Sequence, residues 1–219
     1  WAQGLKGQGD AVGKAVEKGK SAFVGPEIKG KKLGVIGLGA IGILVANAAR
    51  SLGMEVHGYD PYISVDSAWG LSRAVKHSLT LDDIFETCDY ITVHVPQTPD
   101  TKNMINKDSI AKMKDGVIFI NVARGGLVDS EALADAVEAG KFRGVGMDVC
   151  EKEHEYFFED RSNLKEHDKT LSRLLASDKV VISGHQAFLT EEALEQMALI
   201  TMDNAKAFLE GAELVNEVK

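Results

Sequence analysis

The feature that most constrains this chain is a glycine-spaced turn set between two apolar runs. Gly37-Leu38-Gly39-Ala40-Ile41-Gly42 follows a short apolar segment at residues 32–36 and opens a longer one at 40–52. Three glycines at this spacing are a weak signal alone. A strand before them and a helix after them supply the context in which the spacing has a physical meaning. The first glycine permits a tight turn, the second lets the backbone approach a pyrophosphate, and the third lets helix and strand pack closely. Ala40 and Ile41 open a helix whose first N–H groups have no partners in the chain, and such groups attract an anion.

A second apolar segment at 56–59 ends in Asp60-Pro61, about the expected distance beyond the turn. A carboxylate at that strand end accepts the hydroxyls of an adenosine ribose and repels the extra phosphate of NADP, so NAD is the expected cofactor. Further apolar or β-branched strands are expected at 90–95, 117–122, 145–149 and 180–183. Between them lie expected helices at 81–87 (capped by Thr80), 110–113, 131–139 (capped by Ser130) and 170–176. A long helix at 190–210 closes the chain. The helix at 40–52 has almost no polar face and is expected to be buried against a sheet. Strands alternating with helices give an α/β fold class: a Rossmann-type doubly wound parallel sheet with helices on both faces.

The 219 residues divide into a lead-in segment at 1–30, a cofactor-binding domain at 31–189 with an irregular charged excursion at 151–179, and a C-terminal helical segment at 190–219. A net charge of -8 disfavours nucleic acid and anionic membrane as main partners. The longest apolar stretch is broken by glycines and is too short to span a bilayer. Cys88 and Cys150 stand far apart with no CxxC or Cys/His cluster, which suggests neither disulfides nor a metal site, and a reducing, cytoplasmic setting is expected. His57, His77, His154 and His167 lack metal-ligand spacing. A chain that starts at Trp1 is expected to be a fragment or a processed form.

In doubly wound sheets, ligands bind outside the carboxyl ends of the strands. Three of the later strands run into groups able to do chemistry there. Residues 117–122 lead to Ala123-Arg124-Gly125-Gly126. Residues 145–149 contain Asp148 and lead to Glu151 and Glu153. Residues 180–183 lead to Gly184-His185. An arginine can hold a carboxylate by a two-pronged ion pair. A protonated histidine can give a proton to a carbonyl oxygen as hydride reaches the carbon. A carboxylate bonded to that histidine orients it and favours its charged form. Together they suit the reduction of a 2-keto acid.

At these residues the sequence resembles the D-2-hydroxyacid dehydrogenase family. The matching stretches are the glycine turn with Asp60, Val93-His94-Val95-Pro96-Gln97-Thr98-Pro99, Asn121 to Gly126, Met147 to Glu153, and Gly184-His185-Gln186-Ala187. The second half is most similar to D-lactate dehydrogenases and the first half to phosphoglycerate dehydrogenases, a mixture that a recombined or designed sequence would also give. The resemblance implies Arg124 as the substrate-binding arginine, Glu153 as the carboxylate paired to histidine, and His185 as the acid/base. It places Asp148 near the nicotinamide amide and Val95, Pro96 and Thr101 along the cofactor. Val122 and Ala123 would stand beside the nicotinamide, and His94 near the cofactor.

The same resemblance implies a small 2-keto or 2-hydroxy acid of the pyruvate/D-lactate type as substrate, and a homodimer. Family members also carry an N-terminal substrate domain, toward which the last helix returns. A chain with the cofactor domain alone leaves two alternatives open, a non-catalytic NAD-binding module and an NAD-sensing protein like the C-terminal-binding-protein corepressors.

Overall fold

The computed structural model describes residues 2–153 and 168–218. The expectations for His154, Phe157, Phe158 and His167 lie outside the described residues. Seven parallel strands form one sheet: β1 (Lys32–Ile36), β2 (Glu55–Tyr59), β3 (Lys76–His77), β4 (Tyr90–Val93), β5 (Val117–Asn121), β6 (Phe142–Met147) and β7 (Val180–Ile182). Their order is β3-β2-β1-β4-β5-β6-β7. Chain direction across the sheet reverses between β1 and β4, which opens a crevice at their carboxyl ends.

The helices are α1 (Val12–Gly19), α2 (Ala40–Ser51), α3 (Val65–Gly70), α4 (Leu81–Thr87), α5 (Lys107–Lys112), α6 (Ser130–Glu138), α7 (Lys169–Leu175) and α8 (Glu191–Glu210). Alternation along the strands sends side chains to two cores. Ile36, Ile91, Val93, Phe119, Val145 and Met147 meet Ile84 and Phe85 of α4, Ile110 of α5, Leu133 and Val137 of α6 and Leu174 of α7. Leu33, Val35 and Val56 meet Ile43, Ala46 and Ala49 of α2 on the opposite face. The second face is covered mainly over β1 and β2, and Val181 of β7 is 69% exposed there. Neither α1 nor α8 buries a residue.

Several elements differ from their sequence expectations. The helix at 40–52 is buried on one stripe only. Gly42, Ile43, Ala46 and Ala49 face the sheet, while Ile41 and Leu44 are more than 60% exposed. A cylinder on one side of a sheet can bury only one face, whatever its composition. Strand β4 stops at Val93. His94 N–H still donates to Ile36 O at 2.7 Å, and Val95 and Pro96 leave the ladder toward the crevice. Strand β6 spans Phe142–Met147 instead of 145–149, because its pairing with β5 begins at Phe142 beside a register shift at Val117/Ile118. Asp129, not Ser130, caps α6, its Oδ1 accepting the N–H groups of Glu131 and Ala132. Helix α5 starts at Lys107, because Asn106 provides a cap ahead of the apolar residues. Elements α3 and β3 have no counterpart in the sequence reading.

Candidate active site

The glycine turn is built by exclusion. Gly37 has φ +94, a region costly for L side chains, and a Cβ there would press into the backbone of His94. A Cβ on Gly42 would collide with the Gly37 carbonyl oxygen, so this third glycine lets α2 start against β1. A Cβ on Gly39 would meet nothing within 4 Å, so the backbone there faces open space. No side chain caps α2, which leaves the N–H groups of its first turn to an incoming anion. An open glycine floor under an uncapped helix start fits a pyrophosphate.

Asp60 sits at the carboxyl end of β2. Its Oδ2 accepts the Leu38 N–H at 2.8 Å and its Oδ1 the Tyr62 N–H at 2.8 Å, so the carboxylate also holds the glycine turn in shape. It borders a cavity of about 190 Å3 with apolar walls from Leu38, Ile63, Leu71 and Val75, floored at Gly58. Pro61 follows as the chain leaves the strand.

On the other side of β1 a cleft of about 450 Å3 is lined by Ile41, His94, Val95, Pro96, Gln97, Val122, Ala123 and Arg124. Of the residues expected at the cofactor, Ile41, Val95, Pro96, Val122, Ala123 and Arg124 therefore share one space. Thr101 is not among those lining it. Its hydroxyl donates to Pro96 O at 2.7 Å and accepts the Thr98 N–H at 2.8 Å, which fastens the loop that carries Pro96. His94 places Nε2 2.9 Å from Thr92 Oγ1, and burial lowers its pKa below the usual imidazole value.

Arg124, Glu153 and His185 leave three neighbouring strands, β5, β6 and β7. His185 Nδ1 lies 2.9 Å from Glu153 Oε1, with both side chains mostly buried. The other carboxylate oxygen of Glu153 accepts the Cys150 N–H at 3.3 Å, which fixes the Glu in a turn rather than on a free arm. The Arg124 loop is locked to that turn. A Cβ on Gly125 would fall onto the carbonyl of Cys150, so only glycine lets the two backbones touch. Arg124 is exposed, with Nη1 donating to Ala123 O at 2.7 Å.

Asp148 is placed in an unforeseen way. Its buried Oδ1 accepts from the Ser183 hydroxyl and, at 2.8 Å, from the Gln186 N–H, and its Oδ2 accepts the Ala187 N–H at 3.0 Å. The Asp148 carbonyl accepts the His185 N–H. The loop bearing His185 is thus wrapped around Asp148. Burial pushes this carboxyl up, but Ser183, Ala187, Gln186 and the charge of His185 outweigh it and hold it below the ordinary value. His185 itself has φ +58, a left-handed backbone held in place by these contacts. Ser183 is missing from the sequence expectations. The only trace of it was a hydroxyl two residues before the histidine, which no spacing rule singles out. Cys150 is buried, and its thiol is pushed up to about 12 by burial and then by Glu153 and Asp168, so it is no nucleophile. His57 is engaged by Glu55 at 2.8 Å, near the start of β2 and away from the carboxyl ends.

The family model for D-isomer specific 2-hydroxyacid dehydrogenase, NAD binding domain, matches residues 6–187. A 2-hydroxyacid dehydrogenase homolog of Haemophilus influenzae is 40% identical over 184 residues, which cover 83% of this chain and 54% of that protein. The crystal structure of a D-lactate dehydrogenase from Treponema pallidum superposes with a TM-score of 0.83 at 32% identity, covering 94% of this chain and 63% of that one. A D-lactate dehydrogenase from Aquifex aeolicus complexed with NAD and lactic acid gives a TM-score of 0.79 at 33% identity, covering 90% and 61%. The chain spans about half the length of the curated relatives it matches.

Proposed function

This chain belongs to the D-isomer specific 2-hydroxyacid dehydrogenases as their NAD-binding domain, and from that premise we propose that it serves the interconversion of a small 2-keto acid and its 2-hydroxy acid, of the pyruvate/D-lactate type. The observation that carries this reading is the His185–Glu153 pair at 2.9 Å, at the edge of the crevice that begins at the glycine turn.

In this reading Gly37, Gly39, Ala40, Ile41 and Gly42 receive the pyrophosphate, and Asp60 with Pro61 receives the adenosine ribose. Val95, Pro96, Val122 and Ala123 wall the nicotinamide side, and Thr101 supports that wall through Pro96. The cofactor, when bound, would supply the hydride as NADH in the direction of keto-acid reduction and accept it as NAD in the reverse. His185 holds the proton destined for the carbonyl oxygen at Nε2, while the Glu153 carboxylate stabilises the imidazolium charge and fixes the ring through Nδ1. Arg124 swings from the Ala123 carbonyl to grip the substrate carboxylate. Asp148 positions the His185 loop, and near the nicotinamide amide it acts from within that loop. The carboxylate of Asp60 favours NAD over NADP.

Residues 31–189 form the cofactor domain in this reading, with residues 1–30 as a lead-in and 190–219 as a helix returning toward a separate substrate domain. Two cofactor domains are expected to associate as a homodimer, and light scattering that finds only monomer at high concentration argues against it. Turnover is tested by following NADH absorbance with pyruvate and a panel of bulkier keto acids. Oxidation of NADH with at least one of them, lost in His185→Gln, is the expected result. The absence of any buried residue along α8 and the partial coverage of the relatives favour one second reading, an NAD-binding module without turnover. It predicts calorimetric binding of NADH and no oxidation.

A further inference from the structure

The order of the strands sets the order of a dinucleotide's parts along the crevice. With adenosine at the end of β2 and pyrophosphate at the start of α2, the remaining riboside falls over the ends of β4 and β5, in the cleft of about 450 Å3. Five of its lining side chains (Ile41, Val95, Pro96, Val122 and Ala123) are apolar. The polar ones are His94, Gln97 and Arg124. His94 is engaged with Thr92 and Arg124 with the Ala123 carbonyl. Among the described residues the Gln97 carboxamide makes no hydrogen bond, although it offers two N–H donors and an acceptor oxygen.

This carboxamide is also seated. A Cβ on Gly126 would lie 2.5 Å from Gln97 Oε1 and 2.7 Å from both Cδ and Nε2. Gln97 therefore rests on the bare backbone of Gly126, two residues beyond Arg124. A side chain there would push it away. An exposed glutamine held over a glycine, at a cleft whose other polar side chains, His94 and Arg124, are engaged with Thr92 and the Ala123 carbonyl, has its hydrogen-bonding capacity preserved for something that enters. A riboside presents hydroxyls that both donate and accept, which matches an amide that does the same.

We propose that Gln97 is a binding residue for the nicotinamide riboside half of the dinucleotide. It rests on the reading of this crevice as the NAD site and adds to it a group that holds the reactive end in register between β4 and β5. Gln97→Met keeps the length of the side chain over Gly126 while removing the amide donors and acceptor.

The test is calorimetric titration of the whole chain and of Gln97→Met with NADH and with AMP, which carries only the adenosine half. The variant is expected to bind NADH about three- to tenfold more weakly, the loss that one net hydrogen bond represents. Its AMP affinity and melting temperature are expected to be unchanged. Unchanged NADH affinity overturns the proposal, and so does an equal loss for AMP, which would place the effect in the loop rather than at the riboside. Failure of the unaltered chain to bind NADH sinks the reading of the crevice instead.

Discussion

At the scale of single residues, Asp148 concentrates the chemistry that the site depends on. Three donors from the 183–187 loop end on one buried carboxylate, so Asp148→Asn turns an acceptor oxygen into an N–H that faces other donors. Leaving buried donors unsatisfied costs about 1–3 kcal/mol. Urea unfolding at neutral pH is expected to register a loss of about that size, and NADH affinity should fall less than in a glycine-turn variant. The pH dependence has a definite sign. The folded carboxyl lies below its ordinary value of 3.8, so its contribution is complete above that pH and is lost as pH falls through the lower folded value. The unaltered chain should therefore lose stability on acidification below about pH 4, and the Asn variant should lack that part of the acid limb. A variant with the same acid profile as the parent would remove Asp148 as its source. Asp148 and His185 stood out in the sequence as charged groups at strand ends. Their mutual wrapping did not, because it depends on Ser183 and on backbone N–H groups, which leave no mark in residue spacing.

At the scale of elements, sequence patterns read best where burial and capping agree. Thr80 accepts the Asp83 N–H while the Asp83 carboxylate accepts the Thr80 N–H, a reciprocal cap around a helix whose Ile84 and Phe85 are buried. Its position followed directly from a Thr ahead of an apolar run. At α6 Ser130 is the expected cap, and the backbone turn gives that place to Asp129 instead. The short α3 and β3 were missed because six and two residues are too few to show a period. Packing between elements was equally hidden. Gly34 in β1 looks like a weak point in a strand, yet a Cβ there would strike Ile84 Cγ2 and come within 3.1 Å of Cys88 Sγ. Helix α4 lies against the sheet at that glycine. Gly34→Ala should force α4 outward and destabilise the fold by about 1–3 kcal/mol. Thr80→Ala, which removes only the cap, should cost about 1 kcal/mol. Equilibrium denaturation distinguishes the two, and a neutral Gly34→Ala would mean that α4 can shift without loss.

At the scale of the whole molecule, the parts meet at the carboxyl edge of one sheet, with Asp60 at β2, the glycine turn at β1, the wall of the cleft at β4 and β5, and Glu153 and His185 at β6 and β7. A dinucleotide lying along that edge would touch loops from both sides of the reversal between β1 and β4. Ligand that binds only the folded chain adds stability in proportion to the logarithm of its concentration over Kd, about 2.7 kcal/mol at a hundredfold excess over Kd. NADH should therefore raise the melting temperature of the unaltered chain in a concentration-dependent way. NADPH at the same concentration should raise it much less if, as proposed, the adenosine ribose lies at Asp60, where the extra phosphate would meet the carboxylate at the end of β2. Asp60→Asn keeps an acceptor for the Leu38 N–H and removes the charge, so the gap between the two cofactors should narrow from both sides. NADH gains less from the amide than from the carboxylate, and NADPH is no longer repelled. Equal protection of the unaltered chain by NADH and NADPH would mean that Asp60 does not discriminate between them, and a gap left unchanged in Asp60→Asn would assign the discrimination to the apolar cavity beside it.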